Sequence, residues 1–393
     1  MAKRFSFKSL FGGKKKPDGP ENSNLRPRAI FDIPFVIILL TMVAFGLIMM
    51  FSAGYAYAYH KYGDGFLFIK KQGLFAAVGI VLMFIISMID YKKLVKLLLP
   101  LMVVTLVLMV VVLFMAELSG AKRWILIGDS FQFQPSELAK FVMILFLAQY
   151  ISVNYKKMNT IRVGLIPPAI FLGILCLLMV LQPHLSGTIL ILMIAFVMLF
   201  VGGIKLKWFA IAGIAGVAVL LFVVFFTDLI SYATSRLSYW IDPFSDPQGK
   251  GFQTIQSLFA IASGGVTGLG LGNSHQKYLY LPEPQNDFIF SIICEELGFV
   301  GAVLVIVLFI VLVIRGFYIA YHAENRFGFL LTVGLISQVG IQAALNIAVV
   351  TNTIPNTGIS LPFFSYGGTS LIMLLMQMGV VLSVSRYSTF KKT

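Results

Sequence analysis

Residues 278–301 read YLYLPEPQNDFIFSIICEELGFVG, and this stretch decides what kind of protein the chain forms. It passes from a polar loop into residues 297–314, which carry no charge and are long enough to cross a bilayer core. The boundary carries the carboxylates of Glu283, Asp287, Glu295 and Glu296. Ionisable side chains at membrane depth are costly and indicate function. We therefore expect a site at this end of the span, with Asp287 and Glu283 where water meets lipid.

The composition of the whole chain is that of a polytopic membrane protein. Of its 393 residues, 59% are hydrophobic and 12% are charged, and the mean hydropathy is +0.92. A soluble domain has about a quarter charged residues. The candidate spans are 33–53, 73–89, 97–115, 137–152, 164–181, 188–203, 208–226, 288–314, 327–350 and 363–385. The predicted fold is an all-α polytopic membrane protein of about ten transmembrane helices, with a large extracytoplasmic loop at 227–287 between helices seven and eight.

The distribution of charge predicts the orientation of the chain. The formal net charge is +14, and most of the 30 Lys and Arg residues fall on the side of the N-terminus. By the positive-inside rule, both termini are expected in the cytoplasm. The predicted parts are a basic, disordered cytoplasmic tail at 1–32, a transmembrane domain at 33–386 and a cytoplasmic tail at 387–393. Because the rule accounts for the charge, we expect no nucleic-acid partner.

The chain has no recognisable nucleotide or metal motif. The GLGLG at 268–272 lacks the spacing, the lysine and the flanking strand of a nucleotide-binding loop, so no nucleotide cofactor is expected. Its glycines either cradle a sugar or pyrophosphate or simply form a loop. Cys176 and Cys294 have no disulfide or metal-ligand spacing, and the metal ligands are left unassigned.

A second outer segment, 116–136, precedes a span that begins with charged residues. Glu137 and Lys140 are three residues apart and share one helix face, where they either serve a substrate or neutralise each other as an ion pair. Arg123, next to a tryptophan, is either an interfacial anchor or a ligand for phosphate. Ser136 is expected to cap the helix.

The last outer segment reads PNTGISLPFFSYGGTS over residues 355–370. Its prolines and glycines predict a non-helical backbone at the mouth of a span, which is tolerated only when buried in protein or lining a wet cavity. Ser365 would supply a hydroxyl to that cavity. His184, in the turn 182–188, is expected to be structural.

Four long patterns in this sequence resemble the SEDS (shape, elongation, division, sporulation) family, which includes FtsW, RodA and SpoVE. They are R-W…Q-P-S-E-L-A-K, D-P…G-x-G-F-Q-x-I-Q-S-L-x-A-I-x-S-G-G, L-P-E-x-x-x-D-F-I-F-x-x-x-x-E-E-L-G and P-x-T-G-x-x-L-P-F-x-S-Y-G-G-T-S. The likeness extends from about residue 30 to residue 386. The long basic tail and the GGTS ending are most like FtsW.

The resemblance implies an inverting peptidoglycan glycosyltransferase that polymerises lipid II at the outer face of the bacterial cytoplasmic membrane, for septal wall synthesis in cell division. It also implies a class B penicillin-binding protein, a transpeptidase, and other divisome proteins as partners. The family's essential catalytic aspartate corresponds to Asp287, and its cavity-lining residues correspond to Arg123, Glu137 and Lys140. The alternatives are a lipid II flippase, a non-catalytic divisome scaffold, and an elongation or sporulation role.

Glycan extension needs a base for the acceptor hydroxyl and a cationic partner for the departing pyrophosphate. Asp287 is the expected base, because it is nearest the span and partial burial raises a carboxyl pKa. Glu283 is the reserve base, or only a solvated loop carboxylate. Arg123 and Lys140 are expected to stabilise the leaving group, with a divalent cation, Mg²⁺ or Mn²⁺, as the cofactor considered. His184 stands where many family members carry Asp or Asn, so no acidic role is assigned there.

Overall fold

The computed structural model describes residues 31–115, 123–127, 131–211, 213, 240–249 and 251–388. Within these ranges, eight helices are long and apolar enough to cross a membrane, and Leu185–Val201 is a shorter apolar helix. This confirms the all-α polytopic class. The described residues add a small antiparallel hairpin, β1 (Ile125–Ile127) paired with β2 (Phe131–Phe133).

The helices are α1 (Ile33–Tyr62), α2 (Leu67–Met88), α3 (Leu94–Val111), α4 (Pro135–Asn154), α5 (Ile166–Leu181), α6 (Leu185–Val201), α7 (Phe252–Ser263), α8 (Ile289–Tyr321), α9 (Arg326–Val350) and α10 (Gly368–Arg386). All except α7 correspond to predicted spans. The predicted span 208–226 lies almost wholly outside the described residues, as do residues 1–30 and 389–393. We call the end of the bundle that carries residues 123–127, 131–133, 240–249, 251–287 and 351–367 the outer end.

The first span is closed at both ends by residues suited to those positions. The Asp32 carboxylate accepts a hydrogen bond from the Phe35 amide at 3.0 Å and caps α1. Gly63 ends the helix with φ 73°, in the left-handed region that favours glycine. Asp32 also pairs with Arg315 of α8 at 2.8 Å. The cap therefore ties the first span to α8 at the end opposite the outer one.

The start of α4 corrects one expectation. Gln134 is the N-cap residue and Pro135 occupies the first helical position, because the fixed φ of proline suits that position. Ser136 therefore lies inside the first turn, where it is buried, and its hydroxyl has no hydrogen-bond partner among the described residues. The prediction that Ser136 caps this helix was wrong.

The span that follows the opening stretch is broken at Gly298, where φ is 66° and ψ is −162°. The glycine-rich segment 264–270 fills the break. The amides of Leu269 and Gly270 donate to two carbonyls of α8 at 3.0 and 2.9 Å, and two amides beyond the break donate back at 2.9 and 3.2 Å. A broken helix at membrane depth persists only when its freed backbone groups find such partners. The glycines of this segment thus repair a broken span.

The described residues of the long outer loop form a cap over α8 and α9. The hydroxyl of Ser257, on α7, lies 2.8 Å from both the Ser291 hydroxyl of α8 and the Val350 carbonyl at the end of α9. The last outer segment has no helix before Gly368, as predicted for the mouth of a span. Both segments therefore fold back onto the ends of the helices that carry the candidate site.

Candidate active site at the outer end of the bundle

Asp287 lies in the last turn of the long loop, two residues before α8. Its carbonyl accepts a hydrogen bond from the Asn346 amide of α9 at 2.7 Å, and the same amide donates to the Ile359 carbonyl at 2.6 Å. The buried Asn346 side chain thus holds the end of the long outer loop and the last outer segment together at the Asp287 backbone.

The environment of Asp287 suits a general base. Its side chain is half-buried. Burial, and secondarily the charge of Glu283, raise the pKa of Asp287 to about 6, while Arg123 acts in the opposite direction. A catalytic base works best when its pKa lies near the operating pH.

Glu137 and Lys140 form a buried ion pair of 2.8 Å on the first turns of α4. The Lys140 ammonium also lies 3.5 Å from the side-chain oxygen of Gln342, whose amide donates to the Ser360 carbonyl at 3.1 Å. One oxygen of Glu137 has no hydrogen-bond partner within the described part of the chain. A buried carboxylate oxygen in that state still needs a donor or a cation.

Arg123 and His184 meet at the turn between α5 and α6. The Arg123 guanidinium donates to the carbonyls of Gln182, at 3.4 Å, and Pro183. Burial lowers the pKa of His184 to about 3, and the charges of Arg123 and Lys140 add to this effect. The imidazole is therefore neutral at physiological pH. Because Arg123 also acts on Asp287, the predicted residues share one electrostatic neighbourhood.

Glu283 faces solvent on the α1 side of Asp287. Its carboxylate accepts hydrogen bonds from the Tyr57 hydroxyl at 3.2 Å and the Asn286 amide at 2.8 Å. Its backbone has φ 45°, a conformation that is strained for a residue with a side chain. The contacts hold Glu283 at the edge of the site, and its role as reserve base stays a prediction.

The structure places Ser365 inside the last outer segment. Its hydroxyl is buried and accepts a hydrogen bond from the Leu361 amide at 2.7 Å. Its carbonyl accepts from the Gln72 side chain at 3.2 Å, and that side chain also accepts from the Gly367 amide. These contacts favour a role in folding the segment, while the substrate contact of Ser365 stays an untested prediction.

The other two carboxylates of the opening stretch lie away from the site. Glu296 is fully buried, accepts from the Ser52 hydroxyl at 2.7 Å and pairs with Lys277 at 2.9 Å. The Glu295 carboxylate accepts hydrogen bonds from the Ser274 hydroxyl at 2.5 Å and from the backbone amide of His275 at 2.8 Å. Glu295 and Glu296 therefore anchor the loop that carries Asp287.

The residues that sequence reasoning missed are mainly uncharged. Gln338, Gln342 and Asn346 follow one another at four-residue spacing in an otherwise apolar span, and all three are buried. Such spacing puts them on one face of α9. Polar residues on one face of a span are the signal that points to them.

The described residues contain no group of three or more His, Cys, Asp or Glu side chains that would hold a metal ion. Any divalent cation would therefore depend on one or two carboxylates together with substrate phosphates, which is the usual manner for Mg²⁺. The unsatisfied oxygen of Glu137 fits that manner of binding.

Comparison with known proteins relates the chain to one family of bacterial proteins. The model of the FtsW/RodA/SpoVE family, described as "Cell cycle protein", matches residues 33–390. Stage V sporulation protein E of Bacillus subtilis is 42% identical over 91% of this chain and 98% of its own length. A probable peptidoglycan glycosyltransferase FtsW of Geobacter sulfurreducens is 35% identical over 92% and 97%. A chain from a solved peptidoglycan synthase complex, which coordinates polymerization and crosslinking, has a TM-score of 0.74 and 31% identity over 91% of this chain and 98% of its own.

Proposed function

The chain belongs to the FtsW/RodA/SpoVE family of cell cycle proteins, and from this premise we propose that it is a peptidoglycan glycosyltransferase that polymerises lipid II. The observation that carries the proposal is the half-buried Asp287 carboxyl, whose pKa is raised to about 6. Arg123 acts on the charge of Asp287, and Arg123 and Lys140 both act on His184, so two cations of this neighbourhood support glycosyl transfer from a pyrophosphate donor. The names of the FtsW and peptidoglycan synthase relatives support the same activity.

In the proposed reaction, a sugar hydroxyl of the acceptor attacks the anomeric carbon of the donor while Asp287 takes the hydroxyl proton. A new glycosidic C–O bond forms as the bond from the anomeric carbon to the pyrophosphate oxygen breaks. The lipid-linked pyrophosphate leaves with the electron pair, and a single displacement of this kind inverts the anomeric centre. Arg123 and Lys140 stabilise the charge that develops on the leaving group.

We retain a divalent cation, Mg²⁺ or Mn²⁺, as a proposed cofactor. Glu137 would hold it together with the substrate pyrophosphate, because one oxygen of that carboxylate lacks a partner among the described residues. When bound, such an ion would supply Lewis-acid stabilisation of the leaving phosphate.

We propose that the enzyme acts in the bacterial cytoplasmic membrane with both termini in the cytoplasm, and that it works with a class B penicillin-binding protein and other divisome proteins. The peptidoglycan synthase relative supports the transpeptidase partner. Septal synthesis is the proposed cellular role, and the sporulation relative supports sporulation as its alternative. Depletion distinguishes the two, because loss of septal synthesis gives filaments and loss of a sporulation enzyme spares vegetative division.

A lipid II flippase is the second candidate. Gln338 and Gln377 are buried near the middle of α9 and α10, and none of their amide atoms has a hydrogen-bond partner in the described part of the chain. Transporters often carry polar groups at the midplane. The charged residues of the site gather instead at the outer end, which favours the enzyme.

The test is polymerisation of purified lipid II by the chain in lipid nanodiscs, alone and with its class B partner. Wild type should make glycan strands, and Asp287→Asn should lower the rate at least 100-fold. Because the raised pKa makes ionised Asp287 unfavourable to folding above pH 6, Asp287→Asn should unfold at no lower temperature than wild type at pH 7.5.

Two results would reject parts of this assignment. If well-folded Asp287→Asn polymerises lipid II as fast as wild type, Asp287 is not the base. Scrambling of lipid II across vesicles without any strand formation favours the flippase. The absence of both scrambling and strand formation favours the scaffold.

A further inference from the structure

The outer end of α1 carries an aromatic patch that the proposed chemistry does not use. Residues 54–62 read GYAYAYHKY. We define the α1 patch as the side chains of Tyr57, Lys61, Tyr62, Phe68 and Tyr366. Phe68 is its centre: its ring lies 6.2 Å from Tyr57 in a stacked arrangement, 6.1 Å from Tyr62 edge-on and 4.7 Å from Tyr366. The Lys61 ammonium lies over the Tyr57 and Tyr62 rings at 5.2 and 5.6 Å.

The height of Tyr62 distinguishes the far end of the patch from an interfacial aromatic belt. Asp32 and Ser52 each bond a charged residue of α8, and they are separated by about 30 Å of helix at about 1.5 Å per residue. That length is about the thickness of the hydrocarbon core. Tyr62 lies about 15 Å further along the helix, whereas the headgroup layer adds only about 5–8 Å on each side. Tyr62 therefore lies past the level where belts form, while Tyr57, about 7.5 Å beyond Ser52, lies within the headgroup layer.

The patch is joined to the catalytic loop from two directions. The Tyr57 hydroxyl donates to Glu283, which is four residues before Asp287. The Tyr366 amide donates to the Gln285 carbonyl, between those two carboxylates, at 2.8 Å. A molecule lying on the patch would therefore extend directly to Asp287.

The chemistry of the patch matches a sugar. A pyranose has apolar C–H faces and a rim of hydroxyl and acetamido groups, so it fits amphipathic rings bordered by hydrogen-bonding side chains. Tyr57 and Tyr62 supply rings with polar tips, and Tyr62 is 52% exposed. Lys61 and Glu283 supply a donor and an acceptor at the edge.

We propose that the α1 patch is a carbohydrate-binding subsite that holds N-acetylated sugar units of the glycan strand next to Asp287. This deepens the proposed function and depends on it. The subsite would keep the strand near the reacting atoms between additions, so its loss would shorten the product.

An exposed tyrosine of the same helix that stacks outside the patch provides a matched control. Tyr59 is 63% exposed and stacks on Tyr55 with parallel rings 6.5 Å apart. At about 100° per residue, Tyr59 points away from Tyr57 but lies beside Tyr62, three residues further along. Its stacking partner is Tyr55, which is not part of the patch. Tyr59→Ala therefore removes a similar exposed ring but no member of the patch.

The experiment measures binding of a soluble, lipid-free tetrasaccharide of alternating N-acetylglucosamine and N-acetylmuramic acid to the full chain in nanodiscs. Tyr62→Ala should raise the Kd about tenfold, Tyr59→Ala should leave it within twofold, and Tyr62→Trp should retain binding. Tyr62→Ala should also shorten the strands made in the polymerisation assay. Equal weakening by Tyr59→Ala and Tyr62→Ala, or no change in either, would overturn the subsite.

Failure of the subsite and failure of the proposed function give different results. Tyr62→Ala should weaken tetrasaccharide binding and still make short strands, whereas Asp287→Asn should make no strands. If wild type binds the tetrasaccharide but makes no strands, the subsite proposal stands and the enzyme assignment fails. If wild type makes strands, and Tyr62→Ala changes neither the strand length nor the affinity of the protein for the tetrasaccharide, the enzyme assignment stands and the subsite proposal fails.

Discussion

At the scale of single residues, the decisive property is the pKa of Asp287. The carboxyl is half-buried at the end of a loop, and burial penalises its charged form more than any neighbour does. Glu283 adds to the shift and Arg123 reduces it. The residue types were visible in the sequence, but the size of the shift depends on how the loop packs.

The pH dependence of polymerisation tests this residue. Since a base must be deprotonated, the rate should rise with pH through about 6 and level off above it. Glu283→Gln should move the midpoint to lower pH, because it removes a charge that raises the Asp287 pKa. His184→Gln should leave the midpoint in place, because the His184 pKa of about 3 lies below this range. A midpoint near pH 4 in wild type would contradict the assignment.

At the scale of elements, the break in α8 and the loop that repairs it form one unit. Lys277 holds the loop by bonding Glu296 at 2.9 Å and the Gly272 carbonyl at 2.6 Å, and Ser52 of α1 completes the cluster. Asp287 lies between this anchor and Asn346. Two buried anchors thus determine where the base sits.

Lys277→Met tests the first anchor. It leaves the Glu296 carboxylate buried without its cation, which typically costs about 3–5 kcal/mol. Adding Glu296→Leu should recover much of that loss, because replacing both partners of a buried pair with apolar groups is often close to neutral. Thermal unfolding in detergent measures both variants. A double variant no more stable than Lys277→Met would contradict a charge-pair role.

Gly298→Ala tests the break itself. An alanine Cβ would collide with the backbone of the repairing segment, and φ 66° is unfavourable for any side chain. We expect a loss of about 2 kcal/mol or more. Gly173→Ala in α5 is the control, since its Cβ would meet open space and helical alanine is favoured by up to about 1 kcal/mol. Similar unfolding temperatures for the two variants would show that the break tolerates a side chain.

At the scale of the whole molecule, charges mark both ends of the bundle. Asp32–Arg315 and Lys92–Glu324 pair at one end, while the site carboxylates and their cations lie at the other. By the positive-inside rule, the orientation that we propose has the first end in the cytoplasm. The proposed orientation puts Asp287 at the outer face of the membrane, as the proposed wall synthesis requires.

Cysteine labelling tests the orientation. In a background where Cys176 and Cys294 are replaced by Ala, Tyr280→Cys should react with an impermeant maleimide in intact cells. Tyr321→Cys, at the far end of α8, should react only after permeabilisation. Both positions are exposed, so access depends on the side of the membrane. The reverse pattern would invert the topology.

The sequence by itself determined the membrane class and most of the spans. Its choice of Asp287, Glu137 and Lys140 as site residues stays a prediction. Hydrophobic length and helical spacing are local properties, so a linear pattern carries them. It placed the cap of α4 at Ser136, two positions after the actual cap Gln134, because the start of the helix depended on proline at the first position.

Only the tertiary structure decided what Glu296, Gly298 and Asn346 do. Their partners are the loop lysine Lys277, the glycines of 264–270 and the backbone of Asp287 and Ile359. A buried charge, a broken helix or an amide in a span signals in sequence that a partner is needed. Which distant segment supplies it depends on how the helices pack, and no local pattern encodes that packing.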